Sequence, residues 1–248
     1  MYDLEKITTI SFEVGIDCNL KYLHSKCPIN YRKANVDCEP MSDEKIIQTM
    51  DDSISMSFKG LFSFHFYNEP MLYIDRILKI IESRKNYRYL LWTNGTLFDN
   101  NVENNDFIKN FELVVITCYS EERLKLYSEI KNHYGNVKIN INDLDNRLQT
   151  NINEFGCKMM LYKLPIDYWG NVYLCVKDWK NEYKIGSINF EKLMNIVSSD
   201  KYQKAREAAE KRLLDKHCCP NVCLTCSEPW LIVPPFWKKI RNNEYGSF

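Results

Sequence analysis

The first 141 residues repeat one pattern: a short β-branched or aromatic run, closed by polar turn residues, then a stretch with apolar residues at helical spacing. Residues 7–14 (Ile-Thr-Thr-Ile-Ser-Phe-Glu-Val) alternate as a strand does. Ser42 with Asp43 and Glu44 reads as a cap and acidic first turn for a helix over residues 43–56. The run 61–67 predicts a second strand closed by Asn68-Glu69-Pro70, with a helix over 71–83. Residues 87–93 predict a third, ended by Asn94-Gly95-Thr96; after a polar loop at 100–106 and a short helix at 104–110, residues 112–119 predict a fourth. Ser120 is the expected cap of a helix reaching His133, and 136–141 is a fifth strand. Such alternation predicts a parallel sheet whose loops gather at one end. Five strands are too few for a closed eight-stranded barrel, so the expected fold is α/β, a partial (β/α) barrel.

Near residue 155 the pattern changes. Residues 158–164 and 171–176 flank a turn around Gly170 and read as a hairpin, and helical stretches follow at 190–197 and 201–214. A small Cys-rich hairpin-plus-helix subdomain is therefore expected over 156–248, beside a barrel over 1–155.

Lys plus Arg and Asp plus Glu balance at 33 each, so no net field draws the chain to nucleic acid or an anionic membrane surface. No apolar run approaches the roughly 20 residues needed to span a bilayer, and no signal-peptide pattern opens the chain, so a cytoplasmic location is expected. In that reducing compartment the 10 cysteines stay thiols and are available as ligands. They fall in two groups. Cys18, Cys27 and Cys38 lie early, while Cys157, Cys175, Cys218, Cys219, Cys223 and Cys226 crowd the last third; Cys118 is alone and reads as core. Thiols at Cys18 and Cys27, in the loop after the first strand, stand where an α/β sheet builds its active site. His24 and Cys38 are further candidate ligands for that early site.

Three strand-end loops together resemble the radical S-adenosylmethionine superfamily. Cys18-Asn19-Leu20 through Cys27-Pro28 is similar to its cluster loop, Asn68-Glu69-Pro70 to its Gly-Gly-Glu-Pro motif, and Thr93-Asn94-Gly95-Thr96 to its Thr-Asn-Gly motif. The late cysteines are similar to the auxiliary-cluster (twitch, or SPASM-like) subdomain, in which Cys157, Cys175, Cys223 and Cys226 would hold a [4Fe–4S] cube, with Cys218 or Cys219 as substitutes. Four cysteines with one Cys-x-x-Cys also satisfy tetrahedral zinc, which leaves a zinc-stabilised binding domain as an alternative.

The resemblance implies S-adenosyl-L-methionine as cofactor, bound through Asn68, Glu69, Asn94 and Gly95, with Glu69 accepting from the methionine amino group. It implies an oxidoreductase-type enzyme that oxidises or rearranges a small molecule or a peptide side chain and is fed by an external donor such as flavodoxin or ferredoxin. The cluster loop departs from the common Cys-x3-Cys-x2-Cys: Tyr22 takes the middle position, so the third ligand is expected from His24 or Cys38. The alternative is a degenerate protein that keeps only the auxiliary cluster and acts in binding, partner interaction or electron transfer.

Overall fold

The computed structural model describes residues 4, 7–23, 27–30, 39–141, 162–176, 178 and 183–211. Among these residues eight strands form one sheet: β1 (Thr9–Phe12), β2 (Leu61–Ser63), β3 (Tyr89–Thr93), β4 (Leu113–Cys118), β5 (Val137–Ile141), β6 (Lys163–Ile166), β7 (Asn171–Tyr173) and β8 (Lys184–Ser187). Their order is β5-β4-β3-β2-β1-β6-β7-β8. From β5 to β6 every neighbouring pair is parallel, whereas β6, β7 and β8 pair antiparallel. The five predicted strands are all present. So is the hairpin, as β6 and β7, but β6 also pairs in parallel with β1, setting Lys163 beside Thr9 and Ile166 beside Phe12. The eighth strand was not foreseen.

The helices α1 (Asp43–Ser55), α2 (Ile74–Ser83) and α3 (Leu124–Tyr134) cross between the parallel strands, and α4 (Leu193–Ser198) and α5 (Asp200–Lys211) follow β8. Ser42 caps α1 as expected, its side chain accepting from Lys45 N. Two predicted starts are corrected. Residues Pro70–Tyr73 and Glu121–Arg123 are 3-10 turns ahead of α2 and α3, and Ser120 makes no side-chain cap bond. The expected polar loop at 100–106 is also corrected. Most of it belongs to a 3-10 stretch, Val102–Asn110, centred on buried Asn105, whose Nδ2 donates to the carbonyls of Asp99, Asn101 and Val102.

Strand side chains alternate between two faces. Phe62, Leu91, Val114 and Ile116 meet Ile46 and Met50 of α1, Ile77 and Ile80 of α2, and Tyr127 and Ile130 of α3 in the main core. The opposite face carries a smaller cluster, Leu61, Leu90, Leu113 and Val115, with Trp92 and Tyr162 packed on it. That second cluster requires curvature. Strands β3 and β6 are three places apart, about 14 Å in a flat sheet, yet Lys163 Nζ sits 4.8 Å from the Trp92 ring centre. The parallel strands curl, with Trp92 and Lys163 inside the curl.

Candidate active site

At the carboxyl ends of the parallel strands, loops enclose a cavity of about 530 Å³ including its open mouth. Cys18, Cys27, Asn68, Glu69 and Asn94 all line it, so most of the candidate residues described here meet in one place. Gly95 turns the chain beneath them. Its φ is +72°, and a Cβ there would come within 2.6 Å of Ile116 Cγ2, which is why no side chain fits. His24, Cys38, Cys157, Cys218, Cys219, Cys223 and Cys226 lie outside the described residues.

Glu69 holds the loops together. It is 3% exposed, its Oε1 accepts from Met71 N at 3.0 Å and Thr93 Oγ1 at 2.5 Å, and its Oε2 accepts from Asn94 N at 2.9 Å. It therefore caps the 3-10 turn that begins at Pro70 and fixes the end of β3 in one stroke. Its own backbone N–H donates to Asp17 O at 2.9 Å, tying it to the early cysteine loop. Asn68 shapes the same turn, accepting from Phe66 N and donating to Phe64 O.

The Thr-Asn-Gly-Thr turn reaches the cysteine loop through side chains. Asn94 Nδ2 donates to Asn19 Oδ1 at 2.8 Å and approaches Cys18 Sγ at 3.9 Å, while Asn19 Nδ2 donates to Thr96 Oγ1 at 2.6 Å. Just before that loop Gly15 lets Tyr73 pass: a Cβ would stand 2.0 Å from the ring. The Tyr73 hydroxyl then accepts from Asp17 N, and burial pushes its phenol pKa up.

Tyr22, at the position of the missing middle cysteine, is 86% exposed and faces solvent. Cys118, as expected, is core, its thiol donating to Ser120 O. Cys175 is buried just after β7, on a hairpin held by Asp167, which accepts from Trp169 N, Asn171 N, Asn171 Nδ2 and the Tyr173 hydroxyl.

The remaining wall comes from residues that sequence reasoning missed: His65, Phe66, Tyr67, Trp92, Thr117 and Tyr119. His65 stacks on Trp92 at 5.7 Å, and Trp92 Nε1 donates to Thr117 Oγ1. Strand alternation could have found Trp92 and Thr117, since both stand near strand ends on the face of Leu90 and Val115. The loop residues had no such signal.

Two thiols converging on a concave, partly aromatic cavity suit soft-metal or iron–sulfur chemistry. Among the described residues no three His, Cys, Asp or Glu side chains gather closely enough to hold a metal ion by themselves. No helix among them is long and apolar enough to cross a membrane.

This fold and cavity define a class: a curled α/β sheet with a thiol-bearing loop at its carboxyl end and a cysteine hairpin joined to its edge. Residues 157–227, which span Cys157 to Cys226, match the family model for SPASM, an iron–sulfur cluster-binding domain. The S-adenosyl-L-methionine-dependent 2-deoxy-scyllo-inosamine dehydrogenase of Niallia circulans is 21% identical over 235 residues, covering 88% of this chain and 92% of that protein. The crystal structure of BtrN in complex with AdoMet and 2-DOIA superposes with a TM-score of 0.65 at 21% identity, covering 83% of this chain and 87% of BtrN. Native anSMEcpe with bound AdoMet follows at 0.53 and 15%, covering 82% and 84%. The chain thus resembles radical S-adenosylmethionine proteins in its α/β fold, and SPASM-bearing ones in its last third.

Proposed function

We propose that this protein is an iron–sulfur, S-adenosylmethionine-dependent oxidoreductase that oxidises a small molecule. The observation that carries the reading is the meeting of Cys18, Cys27, Glu69 and Asn94 in one cavity at the carboxyl end of a parallel sheet. Cys18 and Cys27 would hold a [4Fe–4S] cluster there, with a third ligand from His24 or Cys38, and Cys157, Cys175, Cys223 and Cys226 a second. When bound, such a cluster supplies the electron that cleaves the S-adenosylmethionine sulfonium and makes a hydrogen-abstracting group available. The chain's own part is placement. The Glu69 carboxylate would accept from the methionine ammonium, while Asn68 and Gly95 hold the two loops in register. The similarity to a 2-deoxy-scyllo-inosamine dehydrogenase favours a compact polyhydroxylated substrate over a peptide. The electron donor would be a flavodoxin or ferredoxin in the cytoplasm.

A second reading keeps only the auxiliary cluster. It is favoured by Tyr22, whose exposure removes the middle position from the ligand set. Anaerobic reconstitution separates the two. The proposed enzyme binds about eight irons per chain and, with dithionite, S-adenosylmethionine and 2-deoxy-scyllo-inosamine, forms 5′-deoxyadenosine and an oxidised product. About four irons and no 5′-deoxyadenosine would establish the second reading.

A further inference from the structure

The loop after β2 does more than close the cavity. Phe66 and Tyr67 both line it beside Cys18 and Cys27, and their rings stack with centres 4.0 Å apart. Both also reach across to the cysteine hairpin. The Tyr67 hydroxyl donates to Val176 O at 3.0 Å, and Phe66 lies 6.1 Å from the Tyr173 ring. These contacts fall on either side of buried Cys175, one residue after it and two before. Glu13, itself fully buried, steadies the bridge by accepting from Tyr67 N and, through its other oxygen, from Tyr168 N.

We propose that Tyr67, with Phe66 behind it, is a positioning residue that gives electrons a continuous path from the substrate cavity to an iron–sulfur group held at Cys175. The proposal rests on the oxidoreductase reading above. Electron tunnelling weakens steeply across gaps and is sustained by bonded, hydrogen-bonded and packed atoms. The ring, its hydroxyl and the Val176 carbonyl form such a path, ending one peptide unit from the Cys175 backbone.

A carbinol carbon of the substrate gives its hydrogen atom to form 5′-deoxyadenosine, the hydroxyl proton leaves to water, and the C=O bond forms as one electron departs. An iron–sulfur group held at Cys175 would take up that electron, and an external one-electron acceptor of the ferredoxin or flavodoxin class would then reoxidise it. Tyr67 is neither oxidised nor deprotonated.

Two measurements on the full reconstituted chain test this, with Tyr67→Phe keeping the ring and Tyr67→Leu removing it. The first is the midpoint potential of the auxiliary cluster, followed by electron paramagnetic resonance in a Cys18→Ala background without substrate. The Tyr67 bond holds the residue that follows Cys175, so its loss changes how that ligand is set and should shift the potential in both variants. An unchanged potential in both overturns the proposal. The second is the yield of 5′-deoxyadenosine per oxidised 2-deoxy-scyllo-inosamine. The ratio should rise several-fold in Tyr67→Leu and less in Tyr67→Phe, since hydrogen abstraction continues while oxidation stalls; a ratio equal to wild type in both overturns it. If wild type leaves that probe untouched, the substrate assignment has failed, and the potential alone decides the role of Tyr67.

Discussion

Glu69 ties three groups of its own chain together, and in the proposed function it also receives the cofactor's ammonium. Its carboxylate accepts from three donors of its own chain before any ligand arrives, and burial makes each bond count, because an abandoned donor keeps its full desolvation cost. Glu69→Gln retains one oxygen but points an amide N–H₂ at groups that also donate. We expect it to lower stability by about 1–3 kcal/mol and to reduce S-adenosylmethionine binding in the same protein. Glu69→Asp keeps the charge on a shorter stem and should recover more binding than stability. Denaturant titration and calorimetry read the two effects separately. Parallel loss and recovery across both variants would mean that the binding defect follows from misfolding alone. Asn68, Glu69, Asn94 and the two early cysteines were legible in the sequence because each belongs to the loop that follows a strand. The bonds that Asn19, Thr96 and Tyr67 make were not, since contacts spanning 75 to 109 residues leave no local pattern.

Helix placement depends on polar clamps as well as on the core. Asp51 of α1 takes both Nε and Nη2 of Arg84, which follows α2, at 2.7 Å each, and also accepts from the Tyr87 hydroxyl at 2.8 Å. The Arg84 guanidinium, with the Tyr87 hydroxyl, holds the Asp51 carboxyl below the usual carboxylate range. A depressed folded-state pKa stabilises the protein above the ordinary Asp value, and that contribution fades as pH falls through the depressed one. The Asp51 side chain is 37% exposed, so solvent screening keeps the gain below about 1 kcal/mol. Asp51→Asn should therefore cost stability near pH 7 and lose that difference from wild type as pH drops below about 4. Chemical melts across that range would show it, and a difference constant with pH would refute the assignment. The same scale explains the misread helix starts. Apolar spacing reports where a face is buried, while 3-10 turns such as Pro70–Tyr73 are set by which carbonyl a given N–H reaches, here with Glu69 capping Met71 N.

Across the whole molecule, the parallel order up to β5 was legible because each strand and its crossover helix are neighbours in sequence. The union of β6 with β1 was not, since it joins residues more than 150 apart and no periodicity records a partner at that distance. The consequence appears during synthesis. When residue 141 leaves the ribosome, β1 through β5 can already assemble, but β1 then presents an unpaired edge that will become the interior of the finished sheet. Ile10 and Phe12, fully buried at the end, flank that edge. Exposed edges of this kind template intermolecular pairing. A nascent chain arrested at residue 141 should therefore aggregate or recruit chaperones more than one arrested after residue 176, where β6 can cover the edge. Sedimentation of the two arrested chains would distinguish them, and equal solubility would show that the edge is shielded by other means. The strand that leads toward Cys175 is also the one that closes this gap, so an unsealed edge and an unbuilt cysteine hairpin would coincide during translation.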